Sequence, residues 1–205
     1  MQTTKLIKSV ALAALLASGS AFAAPVELLL NGSFEANVQA AGTWANYDNL
    51  TGWTGGTHGI ELRNHVFGSA ANGVNFVELD TYKNSSMTQT VQTVLGQHYT
   101  LSFQFQDRIN VPTSSQGLSV DWGGAEIAHV NDSLNGAWET RTYTLIGDGS
   151  AMKLKFIATG RSDSLGTSLD NVSLTSAVPE PETYAMMLAG LGLVGFAARR
   201  RKAAK

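Results

Sequence analysis

The 205-residue sequence contains no cysteine. That excludes a disulfide scaffold, a zinc–thiolate site and a cysteine nucleophile. The four histidines, His58, His65, His98 and His129, are scattered, and none belongs to an H-E-x-x-H pair. There is no G-x-S-x-G nucleophile elbow and no glycine-rich phosphate loop. Proline occurs only four times, and two of those prolines are Pro179 and Pro181. Positive charge is scarce in the middle of the chain. Of the 14 Lys and Arg, two lie before residue 24 and five in the last seven residues. The segment 24–177 keeps seven, against 14 Asp and Glu, for a net charge of about −7. Phosphate recognition needs clustered Lys and Arg, so an acidic domain of this kind is not a nucleic-acid binder.

The ends of the chain carry the clearest signals. Residues 1–23 read as a secretory signal peptide: Lys5 and Lys8, an apolar core from Val10 to Ala17, then Ala21-Phe22-Ala23 as the cleavage site. At the other end, Pro179-Glu180-Pro181 holds the backbone extended, because proline fixes φ and lacks a donor. An uncharged run of fifteen residues follows, Tyr184 to Ala198, and then Arg199, Arg200, Arg201 and Lys202. As a helix, 184–198 spans ~22 Å, short of the ~30 Å hydrocarbon core. The basic cluster favours the cytoplasmic side and stops transfer. A short span with a stop signal suits a temporary anchor.

The order Pro-Glu-Pro, apolar helix, arginine cluster resembles the PEP-CTERM sorting signal of Gram-negative exopolysaccharide producers. The resemblance covers 178–205. It implies recognition by an exosortase, a membrane cysteine transpeptidase that cuts near Pro179-Glu180-Pro181. The protein would be held transiently at the inner membrane and then released or transferred to the cell surface or extracellular matrix. The competing reading is an ordinary C-terminal membrane anchor.

The remaining segment, 24–177, has one domain's length and enough chain for a core. Its apolar pattern has period two, with turn residues between runs. Strands are expected at Val26–Leu30, Gly59–Arg63, Asn75–Leu79, Ser86–Val94, Tyr99–Gln106, Leu118–Trp122, Trp138–Ile146, Met152–Ala158 and Leu169–Leu174. The stretch from Asn37 to Gly59 reads as long loops, with one strand around Gly52-Trp53. In the clearest strand, Tyr99, Leu101, Phe103 and Phe105 share one face, and Thr100, Ser102, Gln104 and Gln106 the other. Eight to ten strands with no amphipathic helix predict an all-β, two-sheet β-sandwich.

Two segments carry a second resemblance. Leu29-Leu30-Asn31-Gly32-Ser33-Phe34-Glu35 lies near the start of this domain. Ser164 to Leu174, containing Leu169-Asp170-Asn171-Val172, lies near its end. With Gly52-Trp53 and Phe76 to Asp80 between them, the pair is similar to the galactose-binding-like jelly rolls, which include several carbohydrate-binding modules. Asp170 shares strand parity with Val172 and Leu174 and is expected to point to the apolar side, where a carboxylate needs a partner. If first and last strands lie side by side, Glu35 comes near Asp170. Two carboxylates with loop carbonyls suit Ca²⁺, which takes six to eight oxygens. The resemblance implies a structural Ca²⁺ held by Glu35 and Asp170, with Asn31 as a further ligand. The alternative is that Asp170 caps a turn through backbone N–H groups and Glu35 is solvated.

Sugar binding needs flat apolar faces with hydrogen-bonding groups beside them. Trp44, Tyr47 and Trp53 fall in a polar, glycine-rich stretch, with Asn46, Asp48 and Asn49 to supply polar contacts. Trp44, Tyr47, Asp48 and Trp53 are therefore the expected carbohydrate site, the alternative for each tryptophan being core. The polar face Thr100, Ser102, Gln104, Gln106 and Arg108 would floor a groove or simply be solvated. Glu78 and Asp80 share parity on one strand, a spacing that does not forbid a carboxylate pair for glycoside hydrolysis, the alternative being a solvated or Ca²⁺-adjacent pair. The sequence as a whole points to a non-enzymatic protein of the cell surface or extracellular matrix that binds carbohydrate, with the producer's own exopolysaccharide as partner. The alternative is a structural matrix or biofilm protein acting by self-association.

Overall fold

The computed structural model describes residues 25–133, 136–176 and 188–192. The chain divides into two compact units, Val26–Ala177 and the two chain ends together. The expected signal peptide, the Pro179-Glu180-Pro181 motif and the Arg199–Arg201 cluster lie outside the described residues. Of the expected 184–198 span, residues 188–192 are described and are helical. Among the described residues, no helix is long and apolar enough to cross a membrane.

The unit Val26–Ala177 is an all-β, two-sheet jelly-roll sandwich. In chain order its strands are β1 (Val26–Glu27), β2 (Thr43–Tyr47), β3 (Asn49–Leu50), β4 (Trp53–Gly55), β5 (Ile60–Asn64), β6 (Asn75–Glu78) and β7 (Ser86–Gln92). They continue with β8 (His98–Gln106), β9 (Leu118–Trp122), β10 (Ala125–Val130), β11 (Glu139–Ile146), β12 (Ala151–Ala158) and β13 (Ser168–Ser176). One sheet has seven strands in the order β11-β8-β13-β6-β5-β2, with β1 also on β13. The other has six, in the order β10-β9-β12-β7-β4-β3. Neighbours pair antiparallel throughout.

The core follows from the alternation. On β8, Tyr99, Leu101, Phe103 and Phe105 are buried while the residues between them are not. They meet Leu154 and Phe156 of β12 and Leu118, Val120 and Trp122 of β9. Phe103 and Phe156 cross the gap between the sheets edge to face, with centroids 5.3 Å apart. Trp53 packs on Phe156 and Phe34, at 6.2 and 6.1 Å. Burying each such side chain contributes roughly 1.5–3 kcal/mol.

Three local departures from the sequence reading have physical causes. The first strand stops at Glu27 rather than Leu30, because the Glu27 carboxylate accepts the Leu28 and Leu29 N–H groups and that of Leu174. The strands β2 and β10 arise where loop or nothing was expected. Both are partly exposed edge strands whose sequences lack a strong apolar alternation. In β13, the register shifts between Asp170 and Ser173, with Asn171 at φ 49°. Leu169 and Val172 therefore both enter the core, and Asp170 points away from it. The expectation that Asp170 faces the apolar side is corrected by this bulge. Asp170 is nonetheless fully buried, beneath the segment 71–75.

Candidate functional site

The outer face of the seven-stranded sheet gathers most of the chemistry. Across β2 and β5, Trp44 lies opposite Arg63 and Asn46 opposite Glu61. Across β5 and β6, Glu61 lies opposite Glu78 and Arg63 opposite Phe76. Ile60 and Leu62 take the core side of β5, which turns Glu61 and Arg63 outward. Both are still buried, at 4% and 1% exposure. Arg63 Nε contacts Glu61 Oε1 at 2.6 Å, and Nη2 contacts Glu78 Oε2 at 2.5 Å. One guanidinium thus bridges two carboxylates, as its planar fork allows. Burial pushes the Glu78 carboxyl up to about 8 even though Arg63 pulls it down.

Phe67 lies over this chain. Its ring centroid is 5.1 Å from the Arg63 guanidinium carbon and 4.0 Å from that of Arg108. Each such contact is worth roughly 0.5–2 kcal/mol, depending on exposure. Phe67 is 54% exposed and sits at φ 58°, a left-handed conformation that a bulky residue adopts only when held there. Phe67, Gln106, Arg108 and Ile109 line a hollow of about 260 Å³. Trp138 closes the other flank, standing edge to face on Phe76 at 5.9 Å and donating its indole N–H to Ser69 O. The polar face of β8 expected to floor a groove is therefore roofed at its Gln106 and Arg108 end.

The expected sugar-binding residues separate. Trp44 is 44% exposed on the edge strand β2. Asn46, two residues on and on the same face, has both side-chain polar atoms buried without a hydrogen-bond partner among the described residues. Arg63 Nη1 is in the same state. Asp48 is exposed in the link to β3. Tyr47 has the opposite parity to Trp44, packs against the core and donates its hydroxyl to Gln39 Oε1. Trp53 is 2% exposed, and its indole N–H donates to Asn31 O. Its place in the sugar site is corrected: no ligand reaches a ring between Phe34 and Phe156. Phe67 is the residue that sequence reasoning missed. An isolated Phe in a loop has no periodicity to mark it.

The expected metal residues divide in the same way. The strands β1 and β13 are adjacent, and Glu35 and Asp170 converge on one segment. Glu35 Oε1 accepts the N–H groups of Val74 and Asn75, at 2.8 and 2.7 Å. Asp170 Oδ2 accepts those of Ala71 and Asn72, both at 2.8 Å, and Oδ1 that of Asn171. Burial raises the Asp170 carboxyl to about 6, and the charge of Glu35 adds to the rise. Two carboxylates with no cation beside them among the described residues offer the hard oxygens that Ca²⁺ takes. Among those residues no third His, Cys, Asp or Glu joins them, and the contacts of Asp170 are those of the alternative reading, a carboxylate that caps a turn through backbone N–H groups. Asn31 leaves the set. Its amide donates to Asn37 Oδ1 and Thr51 O, and its Oδ1 accepts the Ala36 N–H.

The Glu78 and Asp80 pair is not open to substrate. Glu78 Oε1 accepts the Gly166 N–H, and Asp80 Oδ2 those of Asp163 and Leu165. Their exposures are 0% and 1%, so both tie the 163–166 loop to the end of β6 rather than facing a cleft.

Among curated proteins, the chain is 30% identical over 150 residues to a multifunctional-autoprocessing repeats-in-toxin of Vibrio cholerae, matching 73% of this chain. It spans only 3% of that toxin's length. Among solved structures, the enzymatically active domain of bacteriophage CBA120 tailspike protein 4 gives a TM-score of 0.49 at 15% identity, covering 74% of this chain and 21% of that one. TmCBM61, solved with β-1,4-galactotriose, gives 0.47 at 18% identity, covering 73% and 97%. Residues 177–202 match the model of the PEP-CTERM protein-sorting motif, and the chain thus carries that sorting signal behind its β-sandwich.

Proposed function

We propose that this is an exported, exosortase-processed protein of the cell surface or extracellular matrix, whose sandwich binds carbohydrate without transforming it. The producer's exopolysaccharide is the proposed partner. The observation that carries the reading is Trp44, an open indole face beside the unpartnered amide of Asn46. A sugar ring stacked on Trp44 would use the exposed indole face, and the buried Asn46 amide would have to turn outward to meet its hydroxyls. The sorting motif supports the address. The buried, loop-bound state of Glu78 and Asp80 supports binding over hydrolysis.

A structural Ca²⁺ belongs to the proposal. Glu35 and Asp170 would hold it, and it would supply charge neutralisation. The residues themselves would then lock the 71–75 segment and the Glu35 loop onto β13.

Calorimetric titration of the protein with purified exopolysaccharide tests the reading, with Trp44→Ala as the variant. Saturable heat that weakens at least tenfold in the variant is expected. Equal affinity of the two proteins would remove Trp44 from the site. A second reading, self-association, is favoured by β2 being a sheet edge that carries an exposed tryptophan. It predicts concentration-dependent size in light scattering with no glycan present.

A further inference from the structure

The opposite face of the molecule carries a second groove. It crosses the outer side of the six-stranded sheet, has a volume of about 580 Å³, and is floored by Thr54, Thr88, Thr90, Lys153 and Lys155. Strand register fixes this floor. Thr54 pairs with Thr88, Thr88 with Lys155, and Thr90 with Lys153. Met87, Val91, Leu154 and Phe156 take the core side of the same strands, so the hydroxyls and amines face out. One wall is pinned: Gln89 accepts the Leu30 N–H at 2.7 Å and donates to Leu30 O at 3.0 Å.

Charge makes this groove unusual for the domain. Only three lysines lie in 24–177, and two of them are here, two positions apart on β12. That spacing puts their stems ~7 Å apart on one face. Neither is ion-paired among the described residues, where Arg63 and Arg141 make all the salt bridges. Asp121 is opposite Lys155 on β9 yet forms no ion pair with it there. Two like charges side by side repel each other, and an anion seated between them would relieve that repulsion. The lining contains no aromatic ring, so stacking on a neutral sugar is not the means of recognition. Charge and a row of threonine hydroxyls are.

We infer that this groove is a second binding site, for a carboxylate-bearing glycan laid across β7 and β12. Lys153 and Lys155 take carboxylates, and Thr54, Thr88 and Thr90 take sugar hydroxyls. Two lysines two positions apart match carboxylates on neighbouring sugars, and the domain's net charge of about −7 disfavours the denser phosphates of duplex nucleic acid. The inference stands apart from the Trp44 site, which lies on the other sheet.

The test uses the full-length protein in mild detergent, with alginate oligosaccharide and its carboxyl-reduced counterpart as probes. Three proteins are compared: the parent, Lys153→Gln/Lys155→Gln, and Lys83→Gln, which removes the domain's remaining lysine, exposed and outside the groove. The expected result is alginate binding that falls at least tenfold in the double lysine variant, is unchanged in Lys83→Gln, and is absent for the reduced probe. Both lysines lie outside the core, and an unchanged melting temperature shows that the variant is folded. No alginate binding by the parent, equal binding by the lysine variant, or equal binding of the reduced probe each overturns the site. Lysine-dependent capture of a single-stranded oligonucleotide in preference to alginate overturns the ligand class.

Discussion

Glu35 and Asp170, from opposite ends of the domain sequence, hold the two ends of one segment: Glu35 takes the N–H groups of Val74 and Asn75, and Asp170 those of Ala71 and Asn72. Their negative charges oppose each other while they do so. A divalent cation between them would turn that repulsion into attraction. Ca²⁺ at a hundredfold excess over its dissociation constant is expected to add about 2.7 kcal/mol, or roughly 5–10 °C in Tm for a domain of this size. Differential scanning calorimetry in Ca²⁺ and in EDTA measures it. Asp170→Asn should abolish the response, and a Tm indifferent to Ca²⁺ in the parent would exclude the site.

Arg63 contacts Glu61 and Glu78 at 6% and 0% side-chain exposure. Removing the guanidinium strands the buried Glu61 carboxylate, takes the partner from Glu78 and uncovers one face of Phe67. Arg63→Ala is expected to destabilise the domain by about 3–5 kcal/mol, the usual cost of breaking a buried pair from one side. Urea unfolding gives the value. Arg63→Met with Glu61→Gln and Glu78→Gln should recover much of the loss, because no charge is then stranded.

Glu78 also predicts a pH dependence. Its carboxyl moves from 4.5 to about 8 on folding, so in that range the folded state binds the extra proton. Stability must therefore fall as pH rises through the window and level off above it. Asp170, raised to about 6, adds a slope of the same sign at lower pH in the metal-free protein. Between pH ~6.5 and ~8, the slope is expected to belong mainly to Glu78 and to flatten in Glu78→Gln. Urea midpoints at closely spaced pH values read it out. A slope unchanged by the substitution would show that Glu78 is ionised throughout.

The strands whose alternation is strong, β8 and β12, were legible because both faces are distinguished by burial. The edge strand β2 was not: Thr43-Trp44-Ala45-Asn46-Tyr47 is half-exposed on both faces, and pairing with β5 alone makes it a strand. The convergence of Glu35 and Asp170 followed from adjacent chain ends in a sandwich. The direction in which Asp170 points did not, because Asn171 at φ 49° inserts a bulge that resets parity. The Phe67 platform was illegible for a related reason. It depends on a loop backbone held in a left-handed conformation and on Arg108, which is distant in sequence, joining Arg63 at the ring.

Trp44 and Trp53 were equivalent candidates in the sequence and are opposites in the fold, which gives a paired experiment. Trp53 fills the space between Phe34 and Phe156 and satisfies Asn31 O. Trp53→Ala leaves a cavity and removes one of the two hydrogen bonds to Asn31 O, which keeps that from the Phe34 N–H, and is expected to lower stability by about 3–5 kcal/mol. Because no ligand touches that ring, glycan affinity of the remaining folded protein should be unchanged. Trp44 is open on an edge strand, so Trp44→Ala should shift stability by less than about 1 kcal/mol. Its effect should appear in binding, as a loss of at least tenfold. Thermal melts and glycan titration on both variants separate a ring that builds the sandwich from one that serves it. A Trp53→Ala protein that stays folded yet binds weakly would mean that the sugar site reaches through the β3–β4 end of the molecule, and the site would have to be moved there.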